Sequence, residues 1–132
     1  MTFEVGKTIQ YWLDSASYDL ETGRTLLESK RYPYALFFGH LAIEKILKAL
    51  VVQATNMHAP YTHSLPLLAS KANVRFPESI IDQLAEYTEF HLESRYPDGK
   101  KDFYNKCTEE FTRNKFEEME GVYRWLTRQL GK

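Results

Sequence analysis

Residues 33–54 read PYALFFGHLAIEKILKALVVQA. Ala35, Leu36, Phe37, Phe38, Leu41, Ala42, Ile43, Ile46, Leu47, Ala49, Leu50, Val51 and Val52 cover nearly every face of a 3.6-residue turn. A helix that is apolar nearly all round is central and packs on several sides. Pro33 suits its first turn, where a backbone N–H has no intrahelical partner to lose. The exceptions are His40, Glu44, Lys45 and Lys48. His40, Glu44 and Lys48 recur at every fourth residue and so share one stripe, with Lys45 one step around. Burying unpaired charge costs several kcal/mol, so a polar stripe on a core helix needs a reason. One reading is a ligand-facing groove that offers Lys45 and Lys48 to a phosphate. The other is an exposed edge with a Glu44–Lys48 pair worth ~0.3–0.5 kcal/mol.

Outward from this helix the chain keeps helical spacing. Ile9, Leu13, Ala16, Leu20, Gly23 and Leu27 form one stripe over about residues 7–30. Gly23 costs ~1 kcal/mol relative to Ala there, which predicts close approach of a neighbouring backbone. Tyr32-Pro33 ends that helix, because the residue before proline avoids the α region. Residues 55–64, TNMHAPYTHS, read as a loop, and Ser64 is a candidate cap for a short helix over about 65–72. A further helix is expected over about 78–93, with Ile81, Leu84, Ala85, Thr88 and Leu92 inward. Residues 94–107 hold Pro97-Asp98-Gly99 and read as a loop. The last helix is expected over about 108–130, capped by Thr108, with Phe111, Met119, Val122, Tyr123, Leu126 and Leu130 inward. No segment alternates at period two. The expected fold is all-α, an up-and-down bundle of four long helices and one short one, forming a single domain over residues 1–132.

Composition narrows the function classes. The chain has 132 residues, 43% of them hydrophobic and 14% aromatic, which excludes disorder. The longest apolar runs are far below the ~20 residues needed to cross a bilayer. The first residues lack a basic segment followed by an apolar run, so no signal peptide is expected and the predicted location is cytoplasmic. A formal net charge of −1 gives no electrostatic stripe, so DNA binding is not expected. The single cysteine, Cys107, excludes an internal disulfide and a cysteine-built zinc site.

Charge is nevertheless uneven. No acidic residue lies between Lys45 and Pro77, whereas Lys45, Lys48, Lys71 and Arg75 do. Glu78, Asp82, Glu86, Glu89 and Glu93 then follow. The basic middle can meet an anion, or the acidic helix can neutralise it. His58, His63 and Cys107 do not match a zinc spacing, so no metal is expected from them, and His63 is expected to buttress its loop. Arg95 either clamps an anion or braces the turn formed by Arg95-Tyr96-Pro97-Asp98. No phosphate loop, nucleophile elbow or paired-carboxylate motif is present, so these residues indicate no catalytic group.

Ala42-Ile43-Glu44-Lys45-Ile46-Leu47-Lys48-Ala49-Leu50, then Thr62-His63-Ser64-Leu65, then Arg95-Tyr96-Pro97-Asp98 occur in the order seen in HEPN domains. Trp12, Ala16, Asp19-Leu20, Leu26-Leu27, Tyr32-Pro33-Tyr34-Ala35 and Trp125-Leu126 fit the same pattern, so the chain resembles that family along nearly its whole length. The resemblance implies an all-α bundle, usually a homodimer, with a nucleotide-binding role. It also implies a separately encoded minimal nucleotidyltransferase as partner. The ligand would be ATP-like, with no other cofactor. Lys45, Lys48 and Arg95 would contact phosphates, His40 and His63 would orient them, and Glu44 would hold the lysines or a ribose hydroxyl. A ribonuclease branch of the family carries Arg followed by four to six residues and His. Arg95 has no His downstream, so the acid–base pair of that branch is missing and a ribonuclease toxin is disfavoured. The place before the Ala-Ile-Glu-Lys run, often Gln in the family, is Leu41 here. Tyr104 lies where toxin-type relatives can carry a tyrosine modified by the partner enzyme. A dimeric scaffold is the other reading, supported by the 9 Tyr, 8 Phe and 2 Trp.

Overall fold

Helix α2 (Tyr32–Thr55) runs through the middle of the molecule, as its all-round apolar sequence requires. The computed structural model describes residues 3–132, and among them no strand occurs. Around α2 lie α1 (Val5–Glu28), α3 (Leu65–Lys71), α4 (Glu78–Thr88), α5 (Pro97–Lys106) and α6 (Glu109–Thr127), with a 3-10 turn at Leu92–Ser94. α1 lies along α2 as a helical hairpin, and α6, α3 and α5 also pack on α2, while α3 packs on α4. Leu36, Ile43, Ile46, Leu47 and Leu50 are buried at the centre with Leu65, Leu68, Leu84, Phe116 and Met119. Truncating any one of these to alanine is worth about 2–5 kcal/mol.

Local chemistry explains the boundaries. Asn56 adopts the left-handed conformation at φ 56° and its N–H donates to the Val52 carbonyl, which closes α2. Ser64 and Thr108 cap α3 and α6, accepting from Leu67 N–H at 3.3 Å and Phe111 N–H at 3.2 Å. Gly23 is where the chain needs no side chain. An added Cβ would stand 3.2 Å from the Ala35 carbonyl oxygen and 2.9 Å from Phe116 Cε2. The expected approach of a neighbouring backbone is present, and an aromatic ring from α6 shares it.

Three expectations need correction. Residues 97–106 form α5, not a loop. Pro97 occupies the first turn, Asp98 complements the N-terminal dipole and Lys106 the C-terminal one. Phe103 and Cys107 bury its inner side. The helix expected to reach residue 93 stops at Thr88, and Leu92 is buried from the 3-10 turn instead. Its inner stripe is Ile80, Leu84 and Tyr87, with Ala85 exposed. On α6 the inner face is Thr112, Phe116, Met119, Val122 and Leu126, whereas Phe111, Tyr123 and Leu130 are only partly buried. No helix among the described residues is long and apolar enough to cross a membrane.

Candidate functional site

The polar stripe of α2 is not an exposed edge. His40, Glu44 and Lys48 are all buried, at 0%, 3% and 7% exposure. Groups of this kind stay buried only when partnered, and the partners come from three places in the chain. His40 Nδ1 donates to the Tyr87 carbonyl oxygen at 3.0 Å, at the end of α4. His40 Nε2 lies 3.2 Å from Glu44 Oε1. His63, from the loop before α3, brings Nδ1 to 2.9 Å from the same Oε1. Lys48 Nζ pairs with the other oxygen, Oε2, at 3.0 Å. The Lys48 ammonium also lies 5.1 Å from the centroid of the Trp12 ring on α1. Burial alone would raise the Glu44 carboxyl, but hydrogen bonds from His40 and His63 and the charge of Lys48 overcome it and hold it at about 2.

His91 completes the cluster from the segment after α4. Its ring stacks on His63 at 3.9 Å between centroids and meets His40 edge-on at 5.2 Å. His91 is buried, and its Nδ1 has no hydrogen-bond partner. Burial, with His63 and His40 beside it, pushes His91 below the usual imidazole range. Tyr87, whose carbonyl anchors His40, donates its hydroxyl to Glu118 Oε1 at 2.5 Å. Burial first, and Glu118 second, push that phenol far above its ordinary value.

The other residues singled out by sequence fall elsewhere. Lys45 pairs with Asp19 at 2.6 Å and donates to Ser15 Oγ at 2.8 Å, so an α1 carboxylate holds it and not Glu44. The acid-free stretch is thus neutralised in part by Asp19 and Glu44, while acidic Glu86 on α4 pairs with Lys115 on α6. Arg95 Nε donates to the Glu89 carbonyl at 2.7 Å, Nη2 donates to the same oxygen, and the guanidinium lies 5.0 Å over the Phe103 ring. Arg95 braces the turn and stays outside the Glu44 cluster's hydrogen bonds. Tyr104 is 43% exposed on α5 and meets Tyr34 edge-on at 6.3 Å. A hydrogen bond with Tyr34 pushes its phenol up to about 12. Cys107 is buried, which raises its thiol to about 11. His58 packs against Phe3 at 4.2 Å, and with Lys7, Tyr11 and Trp12 the two line an open groove of about 520 Å³.

His91 and Trp12 were not legible as site residues by spacing. His91 stands between Phe90 and Leu92, both buried, so a histidine flanked by core residues was the one available signal.

The fold and the cluster together define a small helical domain built around a buried, multiply held carboxylate. The chain belongs to the HEPN domain family, whose pattern it matches over residues 9–130. Among solved structures it is similar to TT1696 from Thermus thermophilus, with a TM-score of 0.77 at 19% identity, covering 92% of this chain and 98% of that one. It is also similar to ST0689, an archaeal HEPN homologue, with a TM-score of 0.72 at 24% identity over 92% of this chain and 96% of that one. No curated protein matches the chain by sequence.

Proposed function

We propose that this chain is a non-catalytic, nucleotide-binding HEPN module that acts as a homodimer with a separately encoded minimal nucleotidyltransferase. The observation that carries the reading is the position of Trp12. It lines an aromatic groove with Tyr11, His58 and Lys7, and the Lys48 ammonium sits over its ring. A base stacks on such walls, because every base has a π-face and stacking is worth about 1–3 kcal/mol. Lys48, over the Trp12 ring, is then the expected phosphate-binding residue at that wall, and Glu44, held by His40 and His63, fixes its position. Lys45 and Arg95 take part only by leaving Asp19 and Glu89, to which they are bound in this conformation. Tyr104 is the proposed acceptor of a modification by the partner enzyme. A phenol is protonated at neutral pH, so the partner must remove the proton. Exposed Tyr11, Tyr18, Tyr61 and Tyr96 support a protein interface as well.

The test is calorimetric titration with ATP, with and without magnesium. Saturable micromolar binding, about −8 kcal/mol, is expected. Trp12→Leu and Lys48→Met are each expected to weaken it at least about tenfold. No heat up to millimolar ATP overturns the nucleotide reading. Controlled expression of the chain is expected to leave cellular RNA intact, since no acid–base pair of the ribonuclease branch is present.

A further inference from the structure

His40, Glu44, His63 and His91 each offer one ligand atom, and these atoms all lie within 4.8 Å of one another. We propose that the four side chains bind a single divalent first-row transition-metal ion, of which zinc is the best match, as a structural tie between three segments of the chain. The proposal goes beyond nucleotide binding and does not depend on it.

The donor set comes first. Three imidazoles and one carboxylate are ordinary zinc ligands, and four of them make a closed, structural site. Zn–N and Zn–O bonds of about 2.0–2.2 Å place the ligand atoms of a tetrahedron roughly 3.3 Å apart. Glu44 Oε1 already stands 3.2 Å from His40 Nε2 and 2.9 Å from His63 Nδ1. The remaining separations, none above 4.8 Å, must close to roughly 3.3 Å.

The hydrogen bonds around the cluster point the same way. The Tyr87 carbonyl accepts only, so His40 Nδ1 carries the proton. Nε2, the ring's other nitrogen, faces Glu44 Oε1 at 3.2 Å, a position where a proton or a metal ion can bridge the two. A metal-bound histidine characteristically donates its other N–H to a backbone carbonyl or carboxylate, as His40 does to Tyr87. Lys48 occupies Glu44 Oε2, leaving Oε1 as the single donor oxygen. His91 supplies the independent observation: a buried ring whose Nδ1 has no partner, packed against the other two histidines. A buried polar atom without a partner costs about 1–3 kcal/mol, and a ligand would relieve it. His63, with its side chain 41% exposed, gives an ion a path in.

The ion would join α2, through His40 and Glu44, to the loop before α3 and to the segment after α4. Zinc titration of untagged, chelator-treated protein tests this without any nucleotide, so failure of ATP binding leaves it standing and the reverse holds too. One equivalent of zinc is expected to bind and to raise the melting temperature, reversibly with EDTA. Cobalt substitution is expected to give the visible bands of a tetrahedral centre. His63→Gln, at the accessible ligand, and His91→Gln are each expected to lose about a hundredfold or more in affinity. Lys48→Met, which keeps all four ligands, is expected to lose about ten- to a hundredfold. His58→Gln is expected to bind as the wild type does. Circular dichroism of the metal-free variants verifies that they are folded. Absence of stoichiometric zinc, or unchanged zinc affinity in both His63→Gln and His91→Gln, overturns the proposal.

Discussion

Glu44 and Lys48 form a buried ion pair one turn apart on α2, at 3.0 Å between Oε2 and Nζ. The pair sits inside the helix bundle and not on its surface, so its energetics are those of desolvated charge. Removing one partner leaves the other buried and unpaired, which costs about 3–5 kcal/mol. Replacing both by apolar groups of similar volume avoids that penalty. Glu44→Ala is therefore expected to destabilise the metal-free protein by about 3 kcal/mol in urea denaturation. The double variant Glu44→Gln, Lys48→Met is expected to lose less than the sum of its two single variants. Strict additivity would show that the two groups are not coupled.

Two glycines face Phe116 of α6 but predict opposite outcomes. At Gly23 a Cβ meets the Phe116 ring and the Ala35 carbonyl oxygen, and neither can move cheaply. At Gly39 it meets Met119 Cε at 2.8 Å, the far end of a flexible side chain. Alanine gains about 1 kcal/mol of helix propensity at either place. Gly23→Ala is expected to lose a net 1–3 kcal/mol or so to overpacking, and Gly39→Ala to fall near neutral. Thermal melts of the two variants check the ordering.

The sequence made α2 and its polar stripe legible because both depend on spacing along one helix. The count of helices was not legible, because Pro97-Asp98-Gly99 is equally the chemistry of a turn and of a helix start. What decides in favour of α5 is the burial of Phe103 and Cys107, a tertiary effect. The same limit applies at the site. His40, Glu44 and Lys48 could be grouped by arithmetic, but His63 and His91 reach Glu44 only after α3 and α4 have packed. Arg95 carried family weight in sequence, yet the nearest acceptor to its fork is a backbone carbonyl six residues earlier.

Cys107 gives a pH dependence at the alkaline end. Burial raises its thiol from an ordinary 9.0 to about 11, opposed by the nearby Thr112 hydroxyl and the charges of Lys106 and Arg95. The unfolded thiol ionises first, so the contribution is constant below pH 9 and is lost as the pH climbs from 9 towards 11. The denaturation midpoint of wild type is expected to fall over that window more steeply than that of Cys107→Ala. Thiol-reactive reagent at pH 8 is expected to modify the native protein far more slowly than the unfolded chain. Parallel alkaline limbs for the two proteins would show that another group sets the decline.

Arg95 separates bracing from binding. Its Nε and Nη2 converge on one carbonyl, Glu89, while its plane lies over Phe103, so it fastens the end of α4 to α5. Lysine keeps the charge but has neither the fork nor the planar stack. If bracing is the role, Arg95→Lys is expected to lose about 1 kcal/mol of stability and to speed amide exchange along α5. If a phosphate is the true partner, charge dominates, and Arg95→Lys is expected to retain most of the ATP affinity that Arg95→Ala loses. Because exchange at α5 and affinity for ATP are read independently, each variant reports on one role without confusion from the other. The fork on Glu89 predicts faster exchange in both variants, with the larger effect in Arg95→Ala, where the cation over Phe103 is lost as well as the fork.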